Sequence, residues 1–403
     1  MNITGIVVEY NPFHNGHALH VQQSKTKTNA DIVVAVMSGN FLQRGEPAIV
    51  SKWSRTKMAL SAGVDIVIEL PYVFATQHAE VFAQGAISIL NEIGAKSICF
   101  GSESGDITEF ITLYNFIKKH ETTYNLYIQE SLKKGYSYPK ALASAFKKLD
   151  QQNEILDLSL PNNILGYHYV KAIFEQGAQI NPFTIKRTKA QYHDQEIPAH
   201  SIASATSIRE TLIKQKKDLK TIEHVVPETT FNELSNYTNA YDSFQHWERL
   251  YPYLKYKVLT TKQQHLKDIY EAEEGLENRI THLIKDTTSF QQLMERLKTK
   301  RYTWTRLQRF CLHTLTNTTK EEMSIRKDQC PYIRILGMNK TGRQYISNRK
   351  KKLEVPLIST ISKLDHPFIH TESRATSCYS LGYPSSVQKK LIQEEYAHPP
   401  III

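Results

Sequence analysis

The sequence predicts an α/β fold in which a parallel sheet is covered by helices on both faces. Three observations predict it. Continuous apolar runs occupy Asp31–Met37, Asp65–Leu70 and Ser97–Phe100, segments of helical period lie between them, and each run ends in punctuation (Ser38-Gly39-Asn40, Pro71, Gly101). Strands that are apolar at successive positions are buried on both sides, as parallel strands are, and alternation with helices makes a βαβ series of the doubly wound kind. Ligands of such sheets bind beyond the carboxyl ends of the strands. The ends on offer are Tyr10–His17, Ser38–Asn40, Glu69–Tyr72 and Gly101–Glu103.

The first strand, Gly5–Val8, breaks at Asn11-Pro12 and gives way to a helix at about Asn15. The stretch Val7, Val8, Glu9, Tyr10, Asn11, Pro12, Phe13, His14, Asn15, Gly16, His17, Ala18, Leu19, His20 therefore spans a strand-to-helix turn. A helix N-terminus presents unpaired N–H groups and the positive end of its dipole, which suits a phosphate. Gly16 allows close backbone approach, and His14 and His17 can donate hydrogen bonds to charge developing on a phosphoryl group. H-x-G-H in this context reads as a nucleotide site; by itself it would equally describe a loop with two incidental histidines.

Residues 106–157 are helical and mixed in charge, with no chemistry evident. Leu158–Gly166 then packs turn residues and amides into a loop that opens a helix. Asn162 or Asn163 could read a base or ribose there, or could simply cap the helix after Pro161. Phe183–Ile185 is the last strand of the series, with Lys186 and Arg187 at its carboxyl end. Ser201–Arg209 is a Ser/Thr-rich turn that opens a helix. Ser204, Thr206, Ser207 and Arg209 make it a second anion site, with a well-capped helix as the alternative.

Past Arg209 the character changes. Residues 1–210 balance 19 basic against 19 acidic residues, whereas 211–403 carry 31 against 21, so the whole net charge of +10 lies in the second half. A neutral half joined to a basic half suggests a chemistry module beside one that meets a polyanion. Residues 211–319 are helical in period, and the acidic run 271–277 reads as a solvated helix face. In 298–309, Tyr302 and Trp304 interleave with Lys300, Arg301, Arg306 and Arg309, a pattern suited to phosphates and stacked bases; an amphipathic helix with Trp304 in the core would also explain the aromatics. Ile333–Gly337, a helix from Gly342, the basic run Arg349, Lys350, Lys351, Lys352 and the strand-like 355–358 suggest a small basic α/β unit at the C-terminus. The expected divisions are 1–215, 216–320 and 321–403.

No apolar run approaches the ~20 residues needed to span a bilayer, and the N-terminus enters a strand without a signal-peptide pattern. The expectation is a cytoplasmic protein. Cys99, Cys311, Cys330 and Cys378 are widely spaced, so they read as reduced structural thiols and no metal site is expected.

The motifs together resemble a known family. His14-Asn15-Gly16-His17 and Ser204–Arg209 match the H-x-G-H and S-x-T-x-I-R pair of the nucleotidyltransferase superfamily. V-E-Y-N-P-F-H-N-G-H (8–17), M-S-G-N-F-x-Q-R-G-E-P-A (37–48), D-I-V-I-E-L-P (65–71), F-G-S-E (100–103), P-N-N-I-L-G (161–166) and S-A-T-S-I-R (204–209), with E-G-L-E-N-R (274–279), resemble the bacterial tRNA(Met) cytidine acetate ligases. The resemblance implies a Rossmann-like nucleotidyltransferase domain. It also implies use of ATP and acetate to form acetyl-adenylate, with transfer of the acetyl group to N4 of the wobble cytidine of elongator tRNA(Met). ATP would contact Val7–His20, Gly101, Asn162 and Arg187. His14, His17, Lys186, Arg187 and the 204–209 turn would stabilise charge as pyrophosphate leaves, with Mg²⁺ on the phosphates. Lys300, Arg301, Arg306, Arg309 and Arg349–Lys352 would meet the RNA. Two other readings remain: a small-molecule adenylyl- or cytidylyltransferase, and an RNA-binding protein whose nucleotide site is regulatory.

Overall fold

A computed structural model describes residues 1–150, 156–187, 202–324 and 329–403; Ser201 of the second turn and Arg326 and Lys327 of the basic half lie outside them. Counting helices of at least eight residues, the N-terminal part runs β1 (Ile3–Val8), α1 (Asn15–Thr28), β2 (Ile32–Ser38), α2 (Lys52–Ser61), β3 (Ile66–Leu70), α3 (Ala79–Ile93) and β4 (Ser97–Ser102). Then come α4 (Ile107–Lys119), α5 (Glu121–Lys133), α6 (Tyr138–Leu149), α7 (Pro161–Glu175) and β5 (Asn181–Lys186). The helical segment follows with α8 (Glu228–Tyr241), α9 (Trp247–Thr260), α10 (Leu276–Leu283), α11 (Phe290–Leu297) and α12 (Trp304–Leu315). The chain closes with β6 (Ile333–Met338), α13 (Lys340–Arg349), β7 (Leu357–Ile358), α14 (Pro367–Ser380), α15 (Ser385–Ala397) and β8 (Ile401–Ile402).

The strands form one sheet in the order β5-β4-β1-β2-β3-β6-β7, with β8 also on β6. β1 to β5 are parallel, as their apolar runs imply. β2 shows why: Val33, Ala35 and Met37 enter one core, Ile32, Val34 and Val36 the other. A strand buried on both faces has no polar alternation to show.

The three expected divisions do not have separate cores. β6 adds antiparallel to β3, so the strand assigned to a C-terminal unit belongs to the central sheet. The helical segment packs Tyr237, Trp247, Leu250 and Phe310 into the same core as Ile6, Phe41 and Trp53. The expected boundaries follow changes in charge and in periodicity, neither of which reports which core a segment joins.

Charged side chains tie the parts together. Lys52 of α2 and Arg334 of β6 are buried among Glu69 of β3, Glu372 of α14 and Glu395 of α15. Gly39 has no side chain because a Cβ there would meet Glu372 Oε1 at 2.7 Å and Glu69 Oε1 at 2.9 Å. These three carboxylates form the metal-like cluster among the described residues; Lys52 and Arg334 pair with Glu69 and Glu395, while burial and the neighbouring Glu69 push Glu372 up to about 8, so two buried cations face two buried anions. Among the described residues no helix is long and apolar enough to cross a membrane.

Candidate active site

The carboxyl ends of β1, β4 and β5 open into a cavity of about 1350 Å³. On one side is the histidine turn. His14 caps α1: its Nδ1 accepts the Gly16 N–H at 3.1 Å, and His17 Nδ1 accepts the His14 N–H at 3.3 Å. With both Nδ1 atoms accepting, the proton of each neutral ring sits on Nε2. The rings stack at 3.7 Å, and Tyr10 packs edge-on to His17. Burial, then the nearby Arg187 and Arg209, push His14 down to about 3; burial and Arg187 push His20 to about 4, and His17 is also lowered. The turn thus offers neutral Nε2–H donors. Gly16 is required by closeness, since a Cβ would stand 2.9 Å from His14 Cε1.

The turn is anchored from distant parts of the chain. Asn11 Oδ1 accepts the Ile49 N–H at 2.8 Å, and Arg209 Nη1 donates to the Asn11 carbonyl at 2.9 Å. The second anion turn therefore meets the first, from which it is 198 residues away in sequence. Arg209 also pairs with Glu46 at 2.9 Å. Arg187 follows β5, with Nη1 3.5 Å from Asn162 Oδ1. A Cβ on Gly101 would touch Arg187 Cγ at 3.2 Å.

Most of the expected nucleotide residues line the cavity: Val7, Val8, Glu9, Tyr10, Asn11, His14, Gly16, His17, Leu19, His20, Gly101, Asn162, Lys186, Arg187, Ser204, Thr206 and Arg209. Pro12, Phe13, Asn15, Ala18 and Ser207 do not. Phe13 is core, and the Asn15 amide donates to the His224 carbonyl. Ser207 sits behind its turn, its N–H given to Ser204 Oγ and its hydroxyl to the Ser204 carbonyl. The two asparagines divide the roles left open between them. Asn163 is buried and accepts the Glu103 and Ser104 N–H groups, while Asn162 faces the cavity. Glu103 caps α7 by accepting both asparagine N–H groups.

The opposite wall corrects the expected RNA surface. Arg301, Arg306 and Arg309 line this same cavity, each paired with an acid: Glu274, Glu273 (2.5 Å) and Glu271 (2.7 Å) respectively. Arg309 is buried and is no surface phosphate contact. Tyr302 is buried too, with its hydroxyl on Glu274. The acids do not sit on a solvated helix face. Glu271 and Glu274 take left-handed backbone, Gly275 follows at φ 84°, and the helix starts only at Leu276. Lys300 is exposed. Arg349 donates to the Glu92 carbonyl at the carboxyl end of α3, so the exposed Lys350–Lys352 lie at the amino end of the parallel sheet, away from the cavity.

Sequence reasoning missed two contributions. Tyr136, Tyr138 and Lys140, from the stretch read as free of chemistry, form a third side of the cavity; only tertiary packing brings them there. The motif at 37–48 acts chiefly as a dock. Trp247 Nε1 donates to the Gly45 carbonyl and Gln308 Nε2 to that of Arg44, and a Cβ on Gly45 would stand 2.8 Å from Arg309 N.

Residues 1–395 match the HIGH Nucleotidyl Transferase family. The chain is 48% identical to the tRNA(Met) cytidine acetate ligase of Geobacillus sp. (strain WCH70), covering all of both chains. The chain belongs to the tRNA(Met) cytidine acetate ligase family. Another member, from Bacillus subtilis (strain 168), is 48% identical, covering all of this chain and 97% of its own. Among solved structures, apo Thermotoga maritima TmcAL superposes with a TM-score of 0.92 at 34% identity, and the same protein bound with alpha-thio ATP with 0.90 at 33%; both cover all of each chain. The cavity of this ligase extends from the histidine turn to the arginines of α12.

Proposed function

We propose that this enzyme joins acetate to N4 of the wobble cytidine of elongator tRNA(Met), consuming ATP through an acetyl-adenylate. The observation that carries the reading is the continuity of the cavity. One end offers the donors a nucleotide needs, and the space of about 1350 Å³ exceeds what small-ligand pockets usually provide, leaving room for a second substrate. The family relatives carry the same name, and a metabolite enzyme has no need of a basic half.

In the first step an acetate oxygen attacks the α-phosphorus and the bond to pyrophosphate breaks. Charge grows on the non-bridging and leaving oxygens, where the Nε2–H groups of His14 and His17, with Lys186, Arg187 and Arg209, can receive it. In the second, N4 attacks the acetyl carbon and AMP leaves. Cytosine N4 is a poor nucleophile, so positioning supplies much of the rate, and the base must leave its stack to enter. The exposed Lys300, the half-exposed Arg301 and Lys350–Lys352 farther away would meet phosphates. Among the described residues five of the six carboxylates lining the cavity are in ion pairs, so Mg²⁺ would arrive on the nucleotide. A cytoplasmic setting agrees with a tRNA substrate.

Double labelling tests the reading. Label from α-labelled ATP should end as AMP and label from acetate in RNA. Nucleotidyl label retained on a stable small molecule would favour a nucleotidyltransferase instead.

A further inference from the structure

We propose that Glu9 is the general base of acetyl transfer, taking the N4 proton of the incoming cytidine; this rests on the two-step reading above. Among the described residues six carboxylates line the cavity, and five are committed to cations. Glu46 pairs with Arg209, Glu80 with Lys171, Glu271 with Arg309, Glu273 with Arg306 and Glu274 with Arg301. Among the described residues Glu9 has no ion pair. Its Oε1 accepts the Gln43 N–H at 2.7 Å, which fixes the side chain, and Oε2 has no hydrogen-bond partner there.

The histidines are unsuited to the task. His14 and His17 use their Nδ1 lone pairs on backbone N–H groups and carry protons on Nε2, so neither has a free lone pair. His20 Nε2 is buried without a partner and cannot be reached. Burial raises Glu9 above the ordinary carboxylate range, with Arg44 and Arg209 opposing the shift, and a raised carboxylate is a better base at neutral pH.

Position agrees with chemistry. Glu9 directly follows β1 and precedes His14 by five residues, which places it beside the nucleotide turn. The Gln43–Glu46 loop that holds its carboxylate also carries Gly45, packed on the backbone of α12. Glu9 thus stands between the nucleotide end and the arginine wall, where adenylate and cytidine would meet. As the N4 lone pair bonds to the acetyl carbon, the bond from that carbon to the phosphate oxygen breaks and AMP leaves with its electrons. The N4 proton passes to Glu9 and then to water.

Glu9→Gln keeps an acceptor for the Gln43 N–H and removes the base. Acetate-dependent ATP–pyrophosphate exchange and single-turnover acetyl transfer to tRNA(Met) are measured on one preparation, across pH. Transfer should fall by ~100-fold relative to the variant's own exchange rate, the usual range for losing a general base. Wild-type transfer should decline toward acid pH as Glu9 protonates, and the variant should lack that limb; Glu9→Asp should recover part of the rate. Equal loss of both half-reactions, an intact acid limb in Glu9→Gln, or transfer within a few-fold of wild type would each overturn the assignment. If the wild-type protein itself leaves no acetyl group in tRNA, the ligase reading fails first.

Discussion

Replacing Arg309 with Met separates a buried ion pair from an RNA contact. Arg309 and Glu271 are 8% and 9% exposed, and Nε and Nη2 of the arginine reach one oxygen, Oε1, at 2.8 and 2.7 Å. The other oxygen, Oε2, is buried and already lacks a partner. Burial raises the Glu271 pKa while Arg309 pulls it down, so without the guanidinium this carboxyl must lie buried and unpaired or take up a proton. Breaking such a pair costs about 3–5 kcal/mol, and protonation limits the loss at about 1.4 kcal/mol per unit of pKa. Arg309→Met should therefore lose about 3 kcal/mol in urea unfolding at pH 7.5. A raised carboxyl binds its proton in the folded state first, so part of the loss should return at pH 5.5. Glu271→Met with Arg309→Met should recover most of the stability, because an apolar pair of similar volume leaves no charge behind. Arg301→Met, at a half-exposed pair, should cost at most about 1 kcal/mol. Wild-type stability in Arg309→Met combined with lost tRNA affinity would refute this reasoning.

His17→Ala should lower acetate-dependent ATP–pyrophosphate exchange by ~100-fold in folded protein, the scale for losing a transition-state donor; exchange within a few-fold of wild type would remove His17 from the chemistry. Changing Lys350, Lys351 and Lys352 to Ala should weaken tRNA binding and flatten the slope of log affinity against log salt by up to roughly one unit per lost phosphate contact. An unchanged slope would leave these lysines outside the RNA interface. His313 is buried against Tyr72 and pushed down to about 3 by burial and then Arg309, so between about pH 6.5 and 3 only the unfolded chain takes up its proton. That group's contribution is full above 6.5 and shrinks as pH falls, by up to about 1.4 kcal/mol per unit. His313→Gln should accordingly show a flatter decline than wild type in urea melts between pH 7 and 5; equal slopes would contradict it.

The parallel sheet was legible because strands buried on both faces leave continuous apolar runs, as Ile32–Met37 does, and because Asn15-Gly16 and Ser204 mark helix starts through local chemistry. That Arg209 reaches the Asn11 carbonyl was not legible, because the two residues are distant in sequence. What could not be read depends on partners distant in sequence. β6 carries the pattern of any short strand, and nothing local says that it joins β3. Arg309 looks like its neighbours Arg301 and Arg306 in a basic run, and only the left-handed turn at Glu271 and Glu274 turns acids toward all three. Gly275 was the one local sign of that turn. Glu9 stood within the nucleotide stretch, but that it has no ion pair among the described residues shows only once its five rivals have found their cations.

Nucleoside analysis of elongator tRNA(Met) tests the central claim most directly. Purified protein, unmodified tRNA, ATP and isotopically labelled acetate are incubated together, and the digested RNA is read by mass spectrometry beside a count of AMP. Labelled N4-acetylcytidine should appear at the wobble position with one AMP formed per acetyl group. Unmodified cytidine at that position, or AMP retained on another product, would contradict it.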